Sequence, residues 1–233
     1  NDRLRPHRLC LFLVFLGLGV ALQAAQRSTT STAPKPTLAL VGGQVIDGYE
    51  GPPIRDGVVL IAGDRIVAVG PRSEVVVPQG TPLISTEGMS VMPGLMDMHV
   101  HLMILGHSDY EYWDKTSMAR FRDEIMPAAA RQLLMAGVTT VRDLGAPLDE
   151  ILEVKRRIEK GAIPGPRLFL SGPFIQHAPY FDYEKFVRLG VDGPQDAQAR
   201  VQKLIDAGVD FIKLIDQDQM TEAEVEAVVR TAH

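Results

Sequence analysis

The sequence predicts an α/β protein built as a small β-domain followed by a run of βα units, and three observations lead there. From Thr37 to about Ser90 the chain consists of short β-branched runs punctuated by Gly and Pro, which read as strands and turns. From Val91 to His233 strand-like and helix-like segments alternate, and such alternation implies a parallel sheet joined by right-handed crossovers. The 233 residues are 45% hydrophobic with a mean hydropathy of +0.04, enough apolar material for one large or two small cores.

Residues 1–25 read as a signal peptide. Arg3, Arg5 and Arg8 precede the apolar run Leu9–Leu22, which is short for a membrane span and suited to a signal-peptide core. An uncleaved anchor is the alternative. The expected location is secreted or periplasmic, with no stable membrane span after cleavage. Small residues at Gly19-Val20-Ala21 and Ala24-Ala25 each offer a cleavage site. Residues 26–36, polar and rich in Ser, Thr and Pro, form a linker.

Residues 37–90 make the β-domain. "TLALVGGQVID", "GVVLIAGDRIVAVG" and "TPLISTEGMSVM" are its strands, and Gly63-Asp64 is a two-residue hairpin turn. It contains no histidine or charged cluster, so its expected role is packing. Residues 91–233 then supply four βα units. The strands are "VMPGLMDMHV", "VTTVRDLG", "RLFLSG" and "VDFIKLI". The helices are "FRDEIMPAAARQLLMAG", "LDEILEVKRRIEKG", "PQDAQARVQKLIDAG" and "TEAEVEAVVRTAH". Thr221 and Glu224 have the spacing of a capping box. A full eight-unit barrel takes roughly 250 residues. Four units are therefore either an open four-stranded domain or the first half of such a barrel.

Net charge is −5 with a pI of about 5.7, which argues against nucleic acid as a partner. Cys10 is the only cysteine, so neither an internal disulfide nor a cysteine-based zinc site can form.

Chemistry collects where ligands bind in parallel α/β folds, at the C-terminal ends of the strands. There the units place His99 and His101, then Arg142 and Asp143, then His177 and Tyr180 in a loop, and finally Lys213. His99 and His101 are separated by one residue, so on a strand both imidazoles project from one face, as two ligands of one metal would. Surface histidines at a strand end are the plainer reading. Arg142 and Asp143 are expected to form a structural ion pair beneath the site. Lys213 lies in an apolar strand, where an unpaired ammonium is costly. It could pair with Asp143 or Asp216 or point outward; alternatively a neutral amine there could add CO₂ and become a carbamate.

"VMPGLMDMHVHL", "AGVTTVRDLG", "GPRLFLSG" and "GVDFIKL" occur in the order and approximate spacing of the amidohydrolase superfamily, and "DGVVLIAGDRIVAVG" resembles the β-domain that precedes its barrel. The resemblance runs from about Leu38 to His233 and is greatest to the prolidase-like branch related to imidazolonepropionase. It implies a (β/α)8 TIM-type barrel, of which about the first four βα units are present, preceded by a small β-sandwich domain. It further implies that His99 and His101 bind the more buried metal, and that a carboxylated Lys213 bridges two divalent ions, usually zinc.

The implied activity is hydrolysis of amide or peptide bonds, as in a dipeptidase or carboxypeptidase. In that chemistry the metals acidify a bridging water that attacks the carbonyl. A deaminase or cyclic-amide hydrolase on the same scaffold is the enzymatic alternative; a non-catalytic half-barrel is the other. The substrate is expected to be a small molecule or dipeptide, with His177 and Tyr180 touching it, and the full-length protein a homo-oligomer. The remaining histidines and the general-base aspartate would follow residue 233, so this chain alone is expected to be inactive. His233 lies in the last helix and is not expected to be a ligand.

Overall fold

The computed structural model describes residues 34–104, 109–178 and 186–233. The expected signal peptide and most of the linker lie outside these residues, as does Tyr180. The chain divides into two compact units: the described part of Asn1–Val45 with Ile54–Met89, and Ile46–Pro53 with Ser90–His233. Among the described residues no helix is long and apolar enough to cross a membrane.

The first unit carries a four-stranded sheet of β1 (Leu38–Val41), β2 (Gly57–Ala62), β3 (Arg65–Pro71) and β4 (Leu83–Ser85), in the order β3-β2-β1-β4. The β2–β3 hairpin pairs Ala62 with Arg65, leaving Gly63-Asp64 as its turn. Gly63 has φ +61°, a conformation that glycine adopts without a Cβ clash. Ala39, Val58 and Leu60 form the buried cluster of this unit.

In the second unit β5 (Leu95–Val100), β6 (Val138–Asp143) and β7 (Arg167–Leu170) form a parallel sheet in that order. Helices α1 (Tyr110–Ser117), α2 (Met126–Met135) and α3 (Leu148–Glu159) accompany it. Strands β6 and β7 alternate in burial toward their ends: Val141, Asp143, Leu168 and Leu170 are buried, while Arg167 and Phe169 are exposed. The inward residues pack with Met126, Ala130, Ile151 and Val154 of α2 and α3. In α3 the buried Ile151 and Val154 share one face. Acidic Asp149 and Glu150 open that helix and Arg156 and Arg157 close it, which suits the helix dipole. The opposite face of the sheet is open, with Met96 70% and Met98 50% exposed.

Past β7 the chain breaks at Ser171–Pro173 and resumes as β8 (Phe174–His177), parallel to β9 (Arg188–Val191). Then come α4 (Pro194–Ala207) and α5 (Glu222–Ala232), which pack with Ile175 and Val191 through Val201, Leu204 and Val228. Pro194 opens α4 and Gly208 closes it at φ +89°, as helix-end preferences dictate.

Two expected elements differ. The helix anticipated over "FRDEIMPAAARQLLMAG" is α-helical only from Met126. Ahead of it Phe121–Ile125 form a wider turn in which the Met126 N–H bonds the Phe121 carbonyl five residues back. Pro127 accounts for this, because its ring would clash with the Asp123 carbonyl in a continuous α-helix. The strand anticipated over "VDFIKLI" reduces to one parallel bridge, Ile175 with Leu214. Two hydrogen bonds hold it, from the Ile175 N–H to the Lys213 carbonyl (2.9 Å) and from the Ile215 N–H to the Ile175 carbonyl (3.1 Å).

Candidate metal centre

The site is built at the C-terminal end of β5. Register slips between Asp97 and Val100, where three steps of β5 oppose two of β6; such a bulge redirects side chains at a strand end. Within it the His99 N–H bonds the Asp97 side chain (3.0 Å) in place of a ladder partner. His101 lies just past the last strand residue. The two imidazoles stand edge to face with centroids 5.3 Å apart. His99 is exposed and His101 half-buried.

His101 is oriented by its surroundings. Its Nδ1 is 3.1 Å from the Gly145 carbonyl oxygen. A carbonyl only accepts, so Nδ1 must carry the proton and Nε2 keeps its lone pair. An imidazole that donates one nitrogen to a backbone carbonyl is a prepared metal ligand through the other. The Phe174 ring packs against the same imidazole at 5.7 Å. Burial lowers the pKa of His101, and the neighbouring His99 and Lys213 lower it further, against the opposing Gly145 bond. All of this favours the neutral, ligand-competent ring.

Asp143, at the end of β6, is 0% exposed. Its Oδ2 accepts from the Leu102 N–H at 2.8 Å and its Oδ1 from the Gly145 N–H at 3.0 Å. Burial pushes this carboxyl up to about 7, against the lowering effect of those two bonds. The expected ion pair with Arg142 does not form. Successive strand residues point to opposite faces, and Arg142 stacks instead over the Phe211 ring at 4.6 Å.

Lys213 is half-buried rather than fully enclosed, and its charge is felt at His101. His177 is turned elsewhere. Its Nδ1 lies 3.2 Å from both oxygens of Glu224, whose carboxylate also accepts from the N–H groups of Gly193 and Thr221 at 2.8 Å each. With the Glu224 N–H on the Thr221 hydroxyl, the anticipated capping box is present. Burial alone would raise the Glu224 carboxyl, yet the bonds from Thr221, Gly193 and His177 bring it down to about 2. His233 places Nδ1 on the Val229 carbonyl at 2.9 Å, within the end of α5.

Sequence reasoning did not find the Gly145 carbonyl or the Asp143 clamp. The Gly145 carbonyl meets His101 across 44 positions and Asp143 meets Leu102 across 41, and nothing local marks either contact; only the Asp143–Gly145 arm is local. Among the described residues no group of three or more His, Cys, Asp or Glu converges on one point. The two imidazoles therefore stand together as a pair, with the Lys213 charge acting on His101.

Comparison with known proteins agrees with this frame. Residues 90–229 match the Amidohydrolase family. An imidazolonepropionase of Alkaliphilus oremlandii is 43% identical over 61 residues, covering 25% of this chain and 14% of that protein. A 5-methylthioadenosine/S-adenosylhomocysteine deaminase of Symbiobacterium thermophilum is 31% identical over 152 residues, covering 55% of this chain and 32% of that protein. A solved prolidase in complex with N-methylphosphonate-L-proline superimposes with a TM-score of 0.68 at 25% identity, over 84% of this chain and 53% of that one. The chain thus spans about half of that solved relative and a third or less of these two curated ones. With more than half of its residues within the family match, and with an α/β frame shared with a solved relative, the chain belongs to the Amidohydrolase family.

Proposed function

We propose that this chain contributes the first metal-binding half of a hydrolase acting on C–N bonds, with amide or peptide substrates. The observation that carries the proposal is the His99–His101 pair, with His101 held by Gly145 so that Nε2 is available. His99 and His101 would hold one divalent ion, zinc by the preference of nitrogen donors. Lys213, as a carbamate formed when its neutral amine adds CO₂ and loses a proton, would offer oxygens to that ion and a second one. Bound divalent ions supply an acidified water and a polarised carbonyl. The residues' own work is narrower. His101 keeps its proton on Nδ1, His99 stands beside it, and Phe174 covers one side of His101 against solvent.

Similarity to a prolidase supports dipeptides as the substrate class. Similarity to a deaminase and to imidazolonepropionase supports cyclic amides or deamination as the second reading, and Lys213 weighs toward the two-metal, peptidase-like choice. The βα units would form the first half of a (β/α)8 barrel that follows a β-sandwich domain in the chain. The open sheet face at Met96 and Met98 supports this, because parallel sheets are normally covered on both faces. Secretion, homo-oligomer formation and substrate contact by Tyr180 belong to the same proposal; His177, anticipated as a second contact, has its Nδ1 engaged by Glu224.

The test is zinc binding by competition with a chromogenic chelator. The chain should bind zinc, and His99→Ala and His101→Ala should each weaken binding by at least about 10-fold. A double variant that binds zinc as tightly as the parent refutes the assigned ligands. Turnover of a dipeptide panel by the full-length protein, set against hydantoin-like cyclic amides, separates the two substrate readings.

A further inference from the structure

We propose that Asp143 is the positioning residue of this site, a single buried carboxylate that fixes both the chain after His101 and the carbonyl that orients its imidazole. The inference rests on His101 being a ligand, as read above, but its first readout needs no metal.

The geometry is a closed loop of short contacts. Oδ2 of Asp143 holds the N–H of Leu102, the residue next to His101, at 2.8 Å. Oδ1 holds the Gly145 N–H at 3.0 Å, and the Gly145 carbonyl accepts Nδ1–H of His101 at 3.1 Å. The backbone on either side of the imidazole's support is therefore tied to one side chain. Two further bonds stiffen the frame: the Leu144 N–H to the Val100 carbonyl (3.0 Å) and the Ser171 N–H to the Asp143 carbonyl (3.1 Å).

The choice of residue is informative. Asp143 is wholly buried, and its strand neighbours on the same face, Val141 and Leu170, belong to the apolar core. Among the described residues no cation pairs with it: Arg142 is turned to the other face, over Phe211. Burying a carboxylate without a counter-charge is unfavourable, and an aliphatic side chain would pack in its place. What an aliphatic side chain lacks is two acceptor oxygens for two N–H donors. Asparagine also falls short, because its NH₂ would face one of those donors. The position therefore calls for aspartate, and the two bonds it makes both end at the support of His101. Residues that orient a ligand's second nitrogen alter metal affinity without touching the metal.

The experiment uses the full chain labelled with ¹⁵N-histidine, metal-free, with His101 assigned by His101→Ala. Long-range proton–nitrogen correlation reads which ring nitrogen carries the proton. The parent should show the Nδ1–H form at His101. Asp143→Asn should shift His101 toward a mixture of the two forms and weaken zinc binding about 10- to 100-fold, while His177 keeps its parental signals. A role confined to stability would lower the melting temperature and leave the His101 signals unchanged. That result overturns the proposal, as does a parent protein with His101 in the Nε2–H form. If the parent binds no zinc but Asp143→Asn still moves the His101 signals, the metal reading fails and the positioning role stands. If Asp143→Asn does not fold, hydrogen exchange of the parent decides. Slow exchange of the Leu102 and Gly145 amides together with the Nδ1–H form supports the clamp, and fast exchange of either amide refutes it.

Discussion

Replacing Gly145 by alanine tests how tightly the support of His101 is packed. A Cβ built at Gly145 would lie 2.0 Å from Cε1 and 2.3 Å from Cζ of Phe174, far inside contact distance. The backbone itself would accept alanine, since Gly145 is not among the residues with positive φ. The whole penalty is therefore steric. Phe174 is 7% exposed and its ring touches His101 on one side and the Arg188 guanidinium on another, so it cannot swing away freely. Overpacking of this kind costs about 1–3 kcal/mol. For a chain of this size each kcal/mol lowers Tm by about 2–4 °C, so a drop of roughly 2–12 °C is expected. Zinc affinity should fall with it, because the displaced element carries the carbonyl that orients His101. Thermal unfolding by circular dichroism and zinc competition read the two effects. Gly145→Ala combined with Phe174→Leu should recover part of both, since contacting residues couple. A Tm within about 1 °C of the parent, on a scale where 1 kcal/mol moves it by more, together with unchanged zinc binding, would refute the packing argument.

Two other outcomes are expected. Lys213→Ala in the full-length protein should lower bound zinc from two ions toward one, and short carboxylic acids with bicarbonate should restore part of it; ¹³C-bicarbonate giving no carbamate signal in the zinc-loaded parent would refute the bridging role. The Glu224 carboxylate, held at about 2 in the folded chain against an ordinary value of 4.5, has a depressed pKa. Its contribution is thus fully present above pH 4.5 and lost as pH falls through about 2, on the order of 3 kcal/mol. Glu224→Gln should flatten the acid limb of a pH–stability curve measured by urea unfolding, and an unchanged limb would count against the His177–Glu224–Gly193 cluster.

The sequence by itself determined what depends on local periodicity and end signals. The alternation of strand and helix, the Gly63-Asp64 turn, the Pro194 start and Gly208 end of α4, and the Thr221–Glu224 cap are all written within a few residues of where they act. The His-x-His spacing likewise marked the candidate ligands without any knowledge of their neighbours. Even there the local reading had limits, because Pro127 reshaped the turn before α2 and the segment around Lys213 lacked enough paired neighbours to become a full strand. Only the tertiary structure decided what holds those ligands. The bonds from Asp143 to Leu102 and from His101 to Gly145 span 41 and 44 positions, and His177 turned out to be claimed by Glu224 from 47 positions away. Such partners meet only when separate βα units pack side by side. A hydrogen bond between residues distant in sequence leaves no period, spacing or cap in the chain that makes it, so the candidate ligands were legible in the sequence and their support was not.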